Sequence, residues 1–156
     1  MTTITTATVQ NNLVLFFVYL LRNNLTDPLA SRKNPFVYKD APEAPQNEFP
    51  FVIVEYTTGT DDLPTLDNSL LIPQLHQITI RVVSKGESSI QRRDVLTDEI
   101  RVVLSDPTSA DADGDTIKSN QVSIRTIKST SADMTNVDGE TLRINEVELT
   151  VRYYGA

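Results

Sequence analysis

Residues 13–21 read LVLFFVYLL, nine apolar or aromatic residues in a row between Asn11-Asn12 and Arg22-Asn23-Asn24. No other stretch constrains the fold as much, because a block this apolar has to be hidden from water. A bilayer does not hide it, since a spanning helix needs roughly 20 apolar residues. A secretory signal is not expected either: MTTITTATVQ has no Lys or Arg, and no small-residue cleavage site follows the run. Asn24-Leu25-Thr26 has the form of a glycosylation sequon, but without such a signal it is read as chance. The block is therefore part of a folded protein, as a helix or as a strand. Phe, Val and Tyr suit a strand, whereas the polar residues on either side bracket the run at helical spacing. The spacing predicts a helix over 8–25, capped by Thr5, Thr6 or Thr8 and stopped by Asn23-Asn24 and Asp27-Pro28.

At about 100° per residue, Val9, Leu13, Phe16, Phe17 and Leu20 share one face, which can cover a sheet. Leu15 and Val18 point the other way, with Val14 and Tyr19 on the flanks and Asn11 and Arg22 at the ends. A helix lying on one sheet should be polar there. Two coverings are open: the following Pro-rich segment folds over this side, or a neighbouring subunit does. The second makes Leu15, Val18, Tyr19 and Arg22 a candidate subunit interface.

The segment 28–50 holds five of the eight prolines and reads as an extended connector, with Phe36-Val37-Tyr38 as a short edge strand. FVIVEY (51–56) is a strand and TTGTDD a turn-rich exit from it. In QLHQITIRVVSKG, Ile78, Ile80 and Val82 alternate with Thr79, Arg81 and Val83, a half-buried strand. SSIQRRDVLTDEIRVVLSDP is a helix, with Ser88 and Gln91 as its capping box, a stripe of Leu96, Ile100 and Val103, and Asp106-Pro107 as its end. An acidic loop (108–120), a strand (121–129) and a hairpin connection (130–140) follow. The last strand, 140–155, changes apolar phase: Leu142 and Ile144 are even, Val147, Leu149, Val151 and Tyr153 odd. Either a bulge near Asn145-Glu146 resets it, or the two sheet faces are covered at different points. The order predicts an α+β fold: an antiparallel or mixed sheet with two helices on one face and long inter-strand loops, in one domain over 1–156.

Chemistry has little to work with. The chain has no Cys and one His, so a zinc site is not expected, and His76 is read as a solvent-facing or sheet-edge residue. No nucleophile elbow and no phosphate-cradling glycine loop is present. Asp111, Asp113 and Asp115 match the first three ligand positions of a calcium loop, but Gly114 falls at position 4 and Val122 at position 12. They are expected to form a mobile, solvated acidic loop without metal. A net charge of −7, with the excess acid after residue 50, disfavours a grip on nucleic acid. Arg32-Lys33 and Arg92-Arg93 have acids nearby, and the second pair is placed on a solvated helix face.

The order of these parts resembles the tail-terminator (tail-completion) proteins of long-tailed bacteriophages and related archaeal viruses. The likeness lies in the apolar N-terminal helix, FPFVIVEY after a Pro-rich connector, HQITIRVVSKGESSIQRRDVLTDEIRVVLSD as strand into helix, and EVELTVRYYG as the last strand. It covers nearly the whole chain and rests on organisation, not on a signature motif. The resemblance implies a virion neck protein made in the host cytoplasm, a structural part with no enzyme activity and no cofactor. It implies a hexameric ring of identical subunits that docks on the tail-tube protein, ends tube growth and offers head–tail connector proteins a surface. DNA would pass through without specific binding, and Asp111, Asp113 and Asp115 would line the lumen or meet a partner. Another neck or tail protein, such as a head–tail adaptor or tube-like subunit, and a monomeric binding module are the alternatives.

Overall fold

The computed structural model describes residues 4, 9–29, 32, 36–40, 49–61, 74–85, 90–135 and 141–154. Its elements are α1 (Val9–Asn24), β1 (Val37–Lys39), β2 (Phe51–Asp61), β3 (Gln74–Lys85), α2 (Ile90–Ser105), β4 (Val122–Thr135) and β5 (Thr141–Tyr153). The strands form one mixed sheet in the order β1-β2-β3-β5-β4. β1 runs parallel to β2, and every other pairing is antiparallel. Both helices pack on the same face, which makes the fold α+β as the pattern requires.

The apolar run is helical because the sheet and the connector together need more than one buried side from it. Leu13, Val14, Phe16, Phe17, Val18, Leu20 and Leu21 are all buried. They pack with Val52 and Val54 of β2, Ile78, Ile80 and Val82 of β3, and Val147, Leu149 and Val151 of β5. Burying each such side chain contributes about 1.5–3 kcal/mol relative to leaving it in water. At the sheet edge Phe36 and Val37 of the connector join the same core, and the Arg22 Nε–H donates to the Val37 carbonyl at 2.9 Å. Arg32 fixes the connector at both ends. Its side chain pairs with Asp27 (3.2 Å), donates to the Pro50 carbonyl and lies over the Phe36 ring.

At its C-terminal end α1 is capped by amides. Asn24 Nδ2 donates to the Leu20 carbonyl and, with Asn23 Nδ2, to the Ala110 carbonyl. That work explains the asparagine pair without reference to glycosylation. The proposed N-caps Thr5, Thr6 and Thr8, the capping residue Ser88 and the segment 65–72 lie outside the described residues.

The phase change in the last strand has no bulge behind it. β3 and β5 pair without interruption from Gln74↔Tyr153 to Lys85↔Leu142, so the two faces are covered at different points. Val147, Leu149, Val151 and Tyr153 face the helices, while Ile144 joins Phe51, Ile53 and Val83 in a smaller cluster on the opposite face. The irregularities fall in β2, between Tyr56 and Thr58, and in β4, between Ile124 and Thr126. Two segments expected to be turn or connection are strand: 57–61 extends β2, and 130–135 extends β4.

Asn145 sits where the phase turns, buried on the helix side. Its amide donates to Asp94 Oδ1 (3.0 Å) and Thr97 Oγ1 (2.9 Å), and its carbonyl accepts from Ser131 (2.7 Å), so it joins α2, β5 and β4. The Asn145 hydrogen bond, with help from Arg93, holds the Asp94 carboxyl below the usual carboxylate range. A depressed carboxyl stabilises the fold above its unfolded pKa, about 3.9, and the contribution fades as pH falls through the lower folded value. Asp94→Asn is therefore expected to shallow the loss of thermal stability between pH 7 and pH 3, read from melting curves. An acid limb as steep as that of the unaltered protein would show that the pairing has no weight.

Candidate interaction surface

α1 brings three of its four proposed interface residues toward solvent and buries the fourth. Tyr19 is 42% exposed, Arg22 is exposed and Leu15 is half-buried, but Val18 is 1% exposed and belongs to the core. Its burial in the core removes Val18 from the candidate surface. What remains is a narrow ridge, Asn11–Leu15–Tyr19–Arg22, at helical spacing. Arg22 lies over the Tyr19 ring (5.8 Å), and the Lys39 ammonium donates to Asn11 Oδ1 (2.6 Å) at the other end.

α2 presents a second ridge that the sequence reading passed over. Val95 is 54% and Val102 68% exposed, seven residues apart and so on one side of the helix. Asp98 lies between them and Asp106 one turn beyond, both exposed. The opposite side is the expected stripe, with Leu96, Ile100 and Leu104 buried and Val103 packed against them. The i, i+7 valines gave a signal, masked by the stronger stripe beside it. The expectation for Arg92-Arg93 holds for Arg92 alone. Arg93 is buried, its guanidinium on Asp94 (3.0 Å).

The acidic loop is built, not slack. Asp111 is buried, and its Oδ1 accepts from the backbone N–H groups of Asp113 (3.0 Å) and Asp115 (2.9 Å). The Asp111 N–H donates to the Asp115 carbonyl, and Gly114 closes the turn at φ +83°. Instead of an open solvated loop, one carboxylate serves as the internal acceptor of a tight turn. Carboxylate oxygens of Asp111, Asp113 and Asp115 lie within 4.8 Å of one another. Each of the three offers a carboxylate oxygen, few against the six to eight oxygens calcium takes. Asp113 is exposed and Asp115 partly so. Through Ala110 the turn leans on the C-terminal end of α1, on the helical side of the sheet.

His76 is neither at an edge nor in solvent. It lies on β3, a central strand, 4% exposed, and shares a 2.7 Å hydrogen bond through Nδ1 with the Tyr56 hydroxyl. Burial and a defined partner make it a packing residue of the sheet. On the opposite face Arg81 bridges Glu55 and Glu146 across three strands.

The fold and these surfaces define a class no narrower than an α+β protein with two helices over one face of a mixed sheet and solvent-facing apolar residues on both helices. A scan against models of known families finds no match, and a search of curated proteins finds no relative. Among the described residues no helix is long and apolar enough to cross a membrane.

Proposed function

We propose that the protein is a structural component of a viral neck, a ring-forming subunit that caps the tail tube and presents a surface for joining the head. The observation that carries this reading is the helical layer. Both helices bury one side against the sheet and still turn large apolar residues outward: Tyr19 on α1, Val95 and Val102 on α2. Single exposed apolar residues are ordinary, but ridges of them flanked by charge favour contact with protein. The order of elements, from apolar helix through connector and sheet to the long last strand, supports the same reading. It matches the organisation that the resemblance to tail terminators rests on.

In such a ring the subunit works by shape. One surface has to fit the tube end and another has to refuse further tube subunits, so that growth stops. The exposed residues of the turn at 106–120 and residues 128–133 of β4 suit these roles, being mostly polar and solvent-facing. A net charge of −7 lets DNA pass without being held. Particles assembled without the protein are expected to carry tails of uncontrolled length that fail to join filled heads, measured by electron microscopy. Tails of normal length joined to heads would overturn the terminator role and leave an adaptor role standing.

A further inference from the structure

The two helix ridges differ in charge, and that difference points to how copies of this chain meet. α1 carries one charged residue, Arg22, and no acid, and Lys39 adds a second cation at the Asn11 end. Between these cations lie Leu15 and Tyr19. Along α2 the outermost line runs Val95, Asp98 and Val102, continued by Asp106 just past the helix end, with Arg92 and Arg101 to its sides. Asn11 to Arg22 covers about 17 Å of helix and the helical part of the second line, from Val95 to the end of α2, about 15 Å, at about 1.5 Å per residue. One ridge is apolar with cationic ends; the other is apolar with interleaved acids.

Self-contact of either ridge with its own copy would set like charges together, Arg22 and Lys39 in one case, Asp98 and Asp106 in the other. Contact of α1 with α2 sets opposite charges together and covers Tyr19, Val95 and Val102 at once. We propose that the α1 ridge of one copy packs on the outer α2 ridge of the next, a head-to-tail interface between identical subunits. The occupant of each ridge is a second copy of this chain. Because both ridges lie on the helical layer of every subunit, the same contact repeats from copy to copy. Repetition closes a ring when the rotation between neighbours divides a full turn. This inference rests on the ring reading above and adds which surfaces meet.

Contact between unlike ridges has a signature that contact of a ridge with its own copy lacks. Tyr19→Asp with Arg22→Glu disables one ridge, and Val95→Asp with Val102→Asp disables the other. Tyr19, Val95 and Val102 are solvent-facing, so the second variant is expected to melt as the unaltered protein does, and the first to stay folded but melt somewhat lower for the Arg22–Val37 hydrogen bond it loses. By native mass spectrometry each variant alone should be monomeric, with self-association weakened by about tenfold or more. An equimolar mixture should form one-to-one dimers and nothing larger, through the single intact pair of ridges. As a second readout that keeps the apolar residues, Arg22→Glu should weaken assembly, and adding Asp98→Arg and Asp106→Lys to the same chain should restore it. Variants that assemble as well as the unaltered protein, or a mixture that stays monomeric, would overturn this contact and leave the ring reading intact. A monomeric unaltered protein at high concentration would overturn both.

Discussion

Val18→Asp is expected to unfold the protein, whereas Tyr19→Asp, one residue along the same helix, is expected to leave it folded. Val18 is 1% exposed and packed within the core that α1, β1 and the sheet share, while Tyr19 is 42% exposed. An unpaired carboxylate in that core costs several kcal/mol, or is protonated and remains an unmatched polar group. Loss of the valine removes about 1.5–3 kcal/mol more. Together these approach the 5–15 kcal/mol by which a domain is stable at all. Far-UV circular dichroism and a thermal melt would read both variants side by side. A folded Val18→Asp protein with an unchanged melting temperature would mean that this side of α1 is a free surface, as a subunit-interface reading of Val18 requires.

The contrast between these two neighbours also marks how far the sequence could be read. That α1 is a helix with Val9, Leu13, Phe16, Phe17 and Leu20 on a buried face follows from spacing alone, because helical periodicity is local. Which covering meets Val18 depends on where residues some twenty positions later return. The described residues of the connector are held by Arg32, which joins Asp27 to Pro50, and by β1 pairing with β2, neither of which has a local signal. His76 illustrates the same limit. Alternation identified its strand, but central or edge placement depends on strand order, and β3 lies between β2 and β5. The phase change in β5 was legible as two alternatives, and the unbroken β3–β5 register selects two-sided burial. The acidic turn was read from composition, which records charge but not that Asp111 folds inward onto its own backbone. Of the candidate surface, Tyr19, Arg22 and part of Leu15 were accessible to pattern. The α2 ridge is hidden in the pattern, because a helix with one clear apolar stripe is expected to be polar elsewhere.

Gly59→Ala is expected to destabilise the protein strongly, and Tyr56→Phe in the same chain to recover much of the loss. Gly in a Thr-rich and Asp-rich stretch reads as a turn, yet Gly59 lies within β2, opposite His76 on β3. Its role there is space. A methyl group at residue 59 would stand 1.9 Å from the Tyr56 hydroxyl and 3.1 Å from His76 Nδ1. The same hydroxyl is bonded to that nitrogen at 2.7 Å, so the ring has no small movement that keeps the bond and clears the methyl. Overpacking of this kind costs about 1–3 kcal/mol, and the displaced hydrogen bond about 0.5–1.5 kcal/mol more. At about 2–4 °C per kcal/mol for a protein of this size, the single variant should melt well below the unaltered protein. Removing the hydroxyl leaves His76 Nδ1 at 3.1 Å and the Tyr56 Cζ position at 3.2 Å as the tightest contacts, distances that a shift of a few tenths of an ångström relieves. The double variant should therefore melt above Gly59→Ala alone. If Tyr56→Phe instead adds its own loss to that of Gly59→Ala, the two residues are not in contact and β2 does not run past Tyr56 as strand.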